Sequence, residues 1–440
     1  MHKEPTWFGQ PRGLTILFLT EMWEKFSFFG MRALQIYYMT KALNLPHATA
    51  SMIFGAYAAG VYLTPIFGGL IADRWLGRKR AVVIGGLLMA VGHFMMAFEP
   101  MFYTAMVVIA CGNGLFLPNL PSQIPLLYPK GDARIDSAFS VYYVGVNLGA
   151  FLAPLICGTL GELYGWHYGF GAAGIGMCLG LVIYISGGKY LPADTPAASR
   201  AERAVVQPDE RGGSIALLFA VACAVILFRT AYEQNGNTVA VWMDASMDRQ
   251  AFGMAIPATW FQSLNPMFVF LISPLLVRAW NARAARGMAP PSLDRMALGA
   301  FGVGAAYVLL AGLIALGVGG AGGVGWLWVV LFFAVFTLAE LYILPVGLGL
   351  FASMAPKRFG ATTIAAWFLC SFAGNLAAGA IGSTWSSMRP QAFFLMMATI
   401  CALSGTALFL IRKTYGAHGG SAALPRPGRH DGAVRETMDP

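Results

Sequence analysis

The stretch EMWEKFSFFGMR, from Glu21 to Arg32, places two carboxylates and two cations within a segment that is otherwise typical of a membrane helix. The charged residues are Glu21, Glu24, Lys25 and Arg32. At about 100° per residue they fall within an arc of roughly 100° on one face of a helix. A charge at the centre of a membrane helix costs roughly 2.5–3.5 kcal/mol on insertion scales, so such residues usually face a protein interior or a wet cavity. The stretch therefore predicts a membrane helix with a functional polar face.

The rest of the chain has the composition of a protein that crosses the membrane many times. Of its 440 residues 57% are hydrophobic and only 11% are charged, against about 25% charged residues in soluble domains. Apolar stretches of roughly 20 residues, the length that crosses a bilayer core, predict about twelve spans. They are placed at 13–38, 50–71, 81–98, 102–127, 138–160, 168–188, 214–243, 255–278, 296–318, 324–353, 360–385 and 391–411. All six cysteines lie within these spans, so the sequence predicts neither a disulfide framework nor a metal site.

The distribution of charge predicts the orientation of the chain in a lipid bilayer. The net charge is +9, and most of the 29 Lys and Arg residues fall in segments that are cytoplasmic if both termini are cytoplasmic. Only Lys41, Arg249 and Arg389 fall in the opposite loops, which satisfies the positive-inside rule and favours an even number of spans. The basic loops thus indicate topology and not nucleic-acid binding. Abundant Arg, Ala and Gly suggest a bacterial gene, and hence a multi-pass protein of the bacterial inner membrane.

The predicted spans divide into two equal halves. Residues 1–188 form a first six-helix bundle, 189–213 a polar cytoplasmic linker, and 214–412 a second six-helix bundle. Residues 413–440 are rich in Gly, Pro and Arg and predict a disordered cytoplasmic tail. Two six-helix halves are the plan of major-facilitator carriers, which bind substrate near the midplane between the halves. The predicted fold class is therefore an all-α membrane protein with the major-facilitator fold.

Few acidic residues lie at membrane depth. Of the 20 acids, those within predicted spans are Glu21, Glu24, Glu233 and Glu340. Arg229 and Glu233 are four residues apart, as are Glu21 and Lys25, so each could form an intrahelical pair that is only structural. Glu340 has no cation within a helical turn. Its partner must come from another helix, a substrate or a proton.

The balance of intramembrane charge favours proton coupling. The four acids exceed the three intramembrane bases by one, and a dry cavity resists an unpaired negative charge. One carboxyl group should therefore bind a proton when no cationic partner is present. A site whose protonation depends on the partners that a conformation or substrate supplies is what proton coupling requires.

Two further motifs indicate moving or broken helices. GGLIADRWLGRKR, from Gly68 to Arg80, combines close-packing glycines, Asp73, Arg74 and a cluster of cations, and predicts a cytoplasmic hinge; the alternative is a plain positive-inside loop. GNGLFLPNLPSQIP in span four contains three prolines. It predicts a broken helix that lines a cavity, or kinks that only shape packing.

These motifs resemble a known family. EMWEKFSFFGMR resembles the ExxERFxYYGMR signature of the proton-dependent oligopeptide transporter (POT/PTR) family, within the major facilitator superfamily. The other family-like blocks, in the family's order, are GGLIADRWLGRKRAVVIGG, VYYVGVNLGAFLAPLICGTLGELYGWHYGFG, FRTAYEQ, QSLNP, AELYILPVGL and WFLCSFAGN. The resemblance implies a proton symporter that imports di- or tripeptides by alternating access, with no cofactor besides the proton, acting as a monomer.

The resemblance also implies roles for residues at the matching positions. Glu21, Glu24 and Lys25 would form the proton-coupled cluster, and Lys25 could also hold the peptide carboxylate. Glu340 would bind the peptide amino terminus. The other positions of the substrate site are Phe28, Phe29, Tyr62, Leu117, Asn147, Arg229, Asn265, Trp367 and Ser371. Arg32 and Glu233 would form an extracellular gate, which leaves Arg229 free for another role, while Asp73 and Arg74 belong to the cytoplasmic hinge.

The chain departs from the family pattern at several positions. Lys25 replaces the signature arginine and lacks its bidentate fork. Phe28 and Phe29 replace two tyrosines, and Leu117 replaces the family's span-four lysine. Arg229 stands where a tryptophan is usual. The 25-residue linker, 189–213, is too short for the extra helical pair of many bacterial members. We hypothesise that Arg229 replaces the positive charge lost at Leu117.

Other classes of function are compatible with these departures. The first is a proton-coupled carrier for a non-peptide metabolite, or an exporter, although span five shows no clear antiporter-type Gly/Pro motif. The second is a sensor that no longer transports, which the retained costly charges argue against. An enzyme is not expected, because no HExxH, GxSxG or paired Cys/His spacing occurs in any span.

Overall fold

The computed structural model consists almost entirely of helices. It describes residues 6–7, 9–129, 131–132, 134–193, 215–251, 253–288, 290–318, 323–353 and 360–418. The helices are α1 Arg12–Tyr37, α2 His47–Ile71, α3 Arg78–Met95, α4 Phe102–Phe116, α5 Arg134–Thr159, α6 Trp166–Ser186, α7 Ile215–Tyr232, α8 Thr238–Ser246, α9 Leu264–Ala285, α10 Ser292–Ala315, α11 Trp326–Ser353, α12 Gly360–Gly382 and α13 Pro390–His418.

Short helical turns extend or join several of these helices. Turns of π-helix are Tyr38–Ala42, Ala72–Leu76 and Leu160–Tyr164. Turns of 3₁₀-helix are Glu99–Met101, Pro121–Leu127, Gly188–Tyr190, Glu233–Gly236, Ala258–Ser263 and Trp385–Ser387. Strands of two residues, paired β1 with β2, β3 with β6 and β4 with β5, are β1 Thr6–Trp7, β2 Gln10–Pro11, β3 Met247–Asp248, β4 Gln250–Ala251, β5 Met254–Ala255 and β6 Val324–Gly325.

Each predicted span corresponds to a helical stretch, which confirms the predicted fold class. The seventh span consists of α7 and α8, separated by the 3₁₀ turn Glu233–Gly236. Ten stretches in the described part of the chain are long and apolar enough to cross a membrane. The other two helices, α1 and α3, contain clustered charges: α1 carries the opening motif, and α3 begins with Arg78, Lys79 and Arg80.

The helices pack as two halves. In the first half α1 lies against α5 and α6, and α4 against α2 and α3. In the second half α10 lies against α11 and α13, and α7 against α12 and α13. The halves meet chiefly where α2 contacts α12 and α5 contacts α9. This arrangement leaves α1, α2 and α5 facing α7, α9 and α11 across the interface.

The contact between α2 and α12 is unusually close. A Cβ atom added at Gly55 would lie 2.5 Å from the Cα of Gly379, and one added at Gly379 would lie 2.9 Å from the Ser51 carbonyl oxygen. These two helices therefore pack backbone against backbone, which only glycine at these positions permits.

Two of the predicted segments extend beyond the described residues. The interdomain linker was predicted at 189–213, and its residues 194–213 lie outside the described part of the chain. The tail was predicted from residue 413, whereas α13 continues to His418. Residues 419–440 are also outside the described part, and the division into 1–188 and 214–412 stays a prediction.

Candidate functional site

A cavity of about 240 Å³ lies between the two halves. Its predicted lining residues are Phe29, Arg32, Tyr62, Asn147, Arg229, Glu233, Asn265 and Glu340. They come from α1, α2 and α5 on one side and from α7, the following 3₁₀ turn, α9 and α11 on the other. The structure thus brings together residues that lie far apart in the chain.

A single carboxylate holds two guanidinium groups in this cavity. Glu233 is buried, and its Oε2 accepts a hydrogen bond of 2.6 Å from Arg32 Nη2. Its Oε1 accepts one of 2.9 Å from Arg229 Nη1. Arg32 lies in the first half and Glu233 in the second, so the pair links the halves. Arg229 also contacts Glu233, as their spacing of four residues allows, so the pairing of Arg32 with Glu233 does not leave Arg229 unpaired.

Arg229 is held on an aromatic platform. Its guanidinium carbon lies 5.6 Å from the ring centroid of Tyr62 and 5.6 Å from that of Tyr232. Such contacts stabilise a cation by about 0.5–2 kcal/mol, depending on desolvation. The buried Nε of Arg229 has no hydrogen-bond partner among the described residues. With Glu233 shared between two arginines, this end of the cavity carries a surplus of one positive charge.

Glu340, on α11, is the other charged group of the cavity lining. Its Oε2 accepts a hydrogen bond of 2.6 Å from Asn265 Nδ2 on α9, and Asn265 also contacts Thr337 Oγ1 at 3.0 Å. Within the described part of the chain Glu340 forms no ion pair. The cavity therefore presents a carboxylate and a surplus cation on two different helices of the second half.

The opening motif forms a second polar cluster next to the cavity. Lys25 Nζ lies 2.6 Å from Glu24 Oε2 and 3.3 Å from Glu21 Oε1. Both glutamates are buried, and Glu24 Oε1 accepts no hydrogen bond from the residues that the structure describes. The cluster lies about one to three turns from Phe29 and Arg32 along α1, and its residues do not line the cavity.

Other residues assigned to the substrate site by the resemblance do not line the cavity. The ring of Trp367 packs against Phe351 at 5.2 Å between centroids, and Ser371 donates a hydrogen bond to the Trp367 carbonyl oxygen. Both are therefore packing residues of the second half in this structure. Leu117 lies at the end of α4 and Phe28 against the hydrophobic core. Neither borders the cavity.

The predicted hinge residues lie at the inner end of the molecule, the end that carries Arg12 and Arg78. Asp73 and Arg74 are exposed in the π-helical turn Ala72–Leu76, which continues α2. Gly77 follows with a φ of 79°, a left-handed conformation that favours glycine and ends the turn sharply. The motif thus forms a tight corner between α2 and α3.

Several polar lining residues were not predicted. They are Tyr143, Tyr232, Asn235 and Gln262. Each stands one to four residues from a predicted site residue, within the blocks VYYVGVN, FRTAYEQNG and QSLNP. Their proximity in sequence to the predicted residues could have suggested them. Which neighbours face the cavity depends, however, on the orientation of each helix about its axis, which the sequence does not give.

Polar contacts close the outer end of the molecule, the end that carries Lys41, Glu162 and Asp244. Lys41 Nζ lies 2.7 Å from Asp244 Oδ2, and Ser51 donates a hydrogen bond of 2.9 Å to Asn237. Further bonds between the halves are Tyr37 to the Ala240 carbonyl, Gln262 to the Ala33 carbonyl, Ser263 to the Phe151 carbonyl, and Trp260 to Thr159. These contacts hold the two halves together at the outer end.

Glu162 is a further closing residue that sequence reasoning missed. Its carboxylate accepts the backbone N–H groups of Ala258 at 3.1 Å and Thr259 at 2.8 Å, which begin the 3₁₀ turn Ala258–Ser263. Arg249 lies 3.8 Å from Glu162 and 3.5 Å from Asp244. In the sequence, the only indication of this role is a single acidic residue in the loop GELYG between two predicted spans. Its partners are main-chain groups of the other half, which no residue pattern reveals.

The fold and the cavity define a secondary transporter with the major-facilitator architecture. A family model described as the POT family (PTR2) matches residues 79–207 and 204–396. The chain is 33% identical to the peptide transporter YePEPT of Yersinia enterocolitica, over 86% of this chain and 88% of the relative. It is 32% identical to the di-/tripeptide transporter of Lactococcus lactis subsp. cremoris, over 93% and 97% of the two chains.

Solved structures show the same relationship. A crystal structure of a POT peptide transporter in complex with sulfate matches with a TM-score of 0.83 and 30% identity, over 94% of this chain and 97% of that one. The chain belongs to the POT family. It is a multi-pass membrane protein, the relatives named here are bacterial, and the family is one of transporters.

Proposed function

We propose that this protein is a proton-coupled symporter that imports di- or tripeptides by alternating access. The observation that carries the proposal is the charge pattern of the cavity. Among the described residues Glu340 forms no ion pair, whereas Arg32 and Arg229 share one carboxylate. A zwitterionic peptide supplies the two opposite charges. The names of the two bacterial relatives support a peptide substrate.

The cavity suggests a defined orientation for the peptide. Its ammonium group would bind Glu340 and Asn265, and its carboxylate would bind Arg229. Lys25 is less suited to the carboxylate, because it already contacts two glutamates outside the cavity lining. Arg229 would thus supply the positive charge that is absent at Leu117. A guanidinium group can bind a carboxylate with two parallel hydrogen bonds, which favours this assignment.

Proton coupling would use the cluster of Glu21, Glu24 and Lys25. Two buried carboxylates share one lysine, which leaves a formal charge of −1 at membrane depth. An unpaired buried charge is costly, so a proton bound at Glu24 would neutralise the cluster. Both sides of the cavity come from one chain, so we expect the monomer to be the transporting unit, with the proton as the only coupling ion.

Purified protein in proteoliposomes tests this function. We expect uptake of a small peptide library to be accompanied by proton uptake, and dipeptides with an acetylated amino group or an amidated carboxyl group to lose at least about 10-fold in competition. Each blocked terminus removes one charged hydrogen-bond partner, worth about 1.5–3 kcal/mol. Equal competition by blocked peptides, or peptide uptake without proton movement, would contradict the proposal.

Arg229 gives a second test. Arg229→Ala should abolish peptide uptake, because it removes the surplus cation and leaves the carboxylate of the peptide without a partner. Arg229→Lys keeps the positive charge but loses the paired N–H donors of the guanidinium group, so this variant should retain part of the uptake. Arg389→Ala, at an exposed arginine, is the control. Retained transport in a folded Arg229→Ala protein would favour a purely structural pair between Arg229 and Glu233.

A carrier of peptide-like metabolites is a second candidate. Phe29 lines the cavity without the hydroxyl group of the family's tyrosine, which removes a hydrogen-bonding group from the site. Competition of dipeptides against one labelled substrate separates the two. A compound that outcompetes every dipeptide without having a peptide bond would assign the site to non-peptide substrates.

A further inference from the structure

A second depression lies far from the transport cavity, at the inner end of the first half. It has a volume of about 300 Å³ and lies between the start of α1, the 3₁₀ turn Pro121–Leu127 and the turn that follows α6. Its lining residues are Pro11, Arg12, Gly13, Leu126, Leu127, Lys189, Tyr190, Leu191 and Pro192. We call this depression the inner groove.

The polar part of the inner groove is cationic. Arg12 Nη1 donates a hydrogen bond of 3.2 Å to the Tyr190 hydroxyl, and Lys189 Nζ lies 5.1 Å from the centroid of the Tyr190 ring. Neither cation forms an ion pair with a carboxylate of the described residues. The hydrogen bond from Arg12 and the charge of Lys189 lower the pKa of Tyr190, as expected in a positive potential. Within the described part of the chain, the groove thus offers two cations that no carboxylate pairs.

The remaining wall is apolar and well fixed. Leu126, Leu127 and Leu191 line it. Lys79 Nζ donates hydrogen bonds to the carbonyl oxygens of Gly188 at 3.1 Å and Leu191 at 3.3 Å, which hold the turn after α6 in place. The turn that carries Lys189 is therefore held in place by hydrogen bonds from α3.

The position of the groove relates it to the bilayer. The last turns of α6 expose apolar side chains, with Val182 63% and Ile185 58% exposed. Lys189 and Tyr190 follow a few residues later. Exposed apolar residues on a spanning helix face lipid tails, and tyrosine and lysine next to them mark the level of the lipid headgroups. Because Lys189 and Tyr190 directly follow this lipid-facing end of α6, we expect the two cations of the inner groove to lie at headgroup depth.

We propose that the inner groove binds the phosphate of an anionic phospholipid headgroup, with Arg12 and Lys189 on the phosphate and the leucines against the start of an acyl chain. Free phosphate shares the ionic part of this chemistry. The apolar wall favours a lipid, because inorganic phosphate gains nothing from contact with leucine. Basic pockets on the cytoplasmic side of membrane helices suit such headgroups.

Native mass spectrometry of the detergent-solubilised full chain tests the proposal. The protein is titrated with phosphatidylglycerol and, separately, with phosphatidylethanolamine. Arg12→Gln combined with Lys189→Gln should weaken phosphatidylglycerol binding by roughly 30-fold and affect phosphatidylethanolamine much less. Arg80→Gln combined with Arg283→Gln removes two exposed cations predicted on the same face and should leave both affinities unchanged. Thermal unfolding checks that both variants are folded.

Three results would overturn the assignment. Equal phosphatidylglycerol binding by the groove variant and the control variant would exclude Arg12 and Lys189 as the binding cations. Displacement of the lipid by inorganic phosphate at equal concentration would assign the groove to a free anion. Lipid binding that appears only after Glu4→Gln and Asp194→Asn would show that carboxylates of the chain itself, outside the described residues, fill the groove.

Discussion

At the scale of single residues, the sharing of Glu233 is the feature that distinguishes this cavity. One carboxylate contacts Arg32 and Arg229 at 2.6 and 2.9 Å. Removing one member of a buried ion pair commonly costs about 3–5 kcal/mol, because the partner's charge is left uncompensated. Arg229 is therefore restrained by Glu233 and by two aromatic rings until another anion reaches it. These restraints hold its guanidinium group in a fixed position, which suits the proposed binding of a substrate carboxylate.

Glu24 provides a prediction about energy coupling. Glu24→Gln keeps the shape of the side chain but removes the group that would accept the proton beside Lys25. Proton-driven accumulation of peptide should stop, whereas exchange of peptide across the membrane should persist. Uphill uptake and counterflow in the same proteoliposomes measure the two activities. Glu99→Gln, at an exposed carboxylate, is the control, and unchanged accumulation in Glu24→Gln would show that the proton binds elsewhere.

Much of the residue-level pattern was accessible from the sequence. The helical spacing predicted that Glu21, Lys25 and Arg32 share one face, and that Arg229 and Glu233 can pair. It did not reveal that Arg32 and Arg229 meet at the same carboxylate. That geometry depends on how α1 and α7 approach each other and on the 3₁₀ turn that rotates Glu233.

At the scale of helices, the spans were predictable because lipid imposes a length and a composition. Even α1 and α3, which carry too many charges for a plain hydropathy criterion, were recognised from their flanking apolar residues. The π-helical turns at Tyr38–Ala42 and Leu160–Tyr164 were not predicted. Such turns widen the helix locally to fit neighbouring helices, so their cause lies in packing and not in local composition.

The glycine contact between α2 and α12 gives a prediction at this scale. Gly55→Leu forces a side chain against the backbone at Gly379, where even a Cβ would lie 2.5 Å from its Cα. Overpacking costs about 1–3 kcal/mol, so the ratio of closed to open outer ends should fall by about 5- to 150-fold. Spin labels at the exposed positions Thr49 and Ser386 should report a longer distance between the outer ends of α2 and α12.

Gly60 supplies a matched control on the same helix. A Cβ atom added there has no atom within 4 Å, so Gly60→Leu should leave the spin-label distance unchanged. An unchanged distance in Gly55→Leu as well would mean that the two helices can separate slightly without opening the outer end.

At the scale of the whole molecule, the two-half plan followed from counting spans and from the polar segment between them. The way in which one half packs against the other could not be predicted from the sequence. It rests on contacts that bring distant segments together, such as Glu162 with Ala258 and Ser51 with Asn237. No periodicity within either half contains that information.

Glu162 gives the prediction that belongs to this scale. Glu162→Gln replaces a charged acceptor of two backbone N–H groups by a neutral one. Hydrogen bonds to charged groups contribute about 1.5–3 kcal/mol, so the ratio of closed to open outer ends should fall by roughly 10- to 150-fold. Ser51→Cys in a cysteine-free background should then react faster with a membrane-impermeant maleimide, because Ser51 is buried in the closed state.

Asp248 provides the comparison for this variant. Its carboxylate accepts the backbone N–H of Gln250 within the same half, so Asp248→Asn should not change the labelling rate. Equal rates in all three proteins would mean that the remaining contacts between the halves hold the outer end without Glu162.

If the peptide carboxylate binds Arg229 as proposed, the carboxylate of Glu233, which both arginines share, would couple substrate binding to closure of the outer end by reciprocal linkage. A substrate carboxylate that binds Arg229 competes with Glu233 for that guanidinium, and Glu233 is then left to Arg32 alone. By linkage, if bound substrate changes the equilibrium constant for closure of the outer end by some factor, closure changes the substrate affinity by the same factor. Variants that favour the closed outer end should therefore also shift the apparent Kd for peptide, even when they lie far from the cavity.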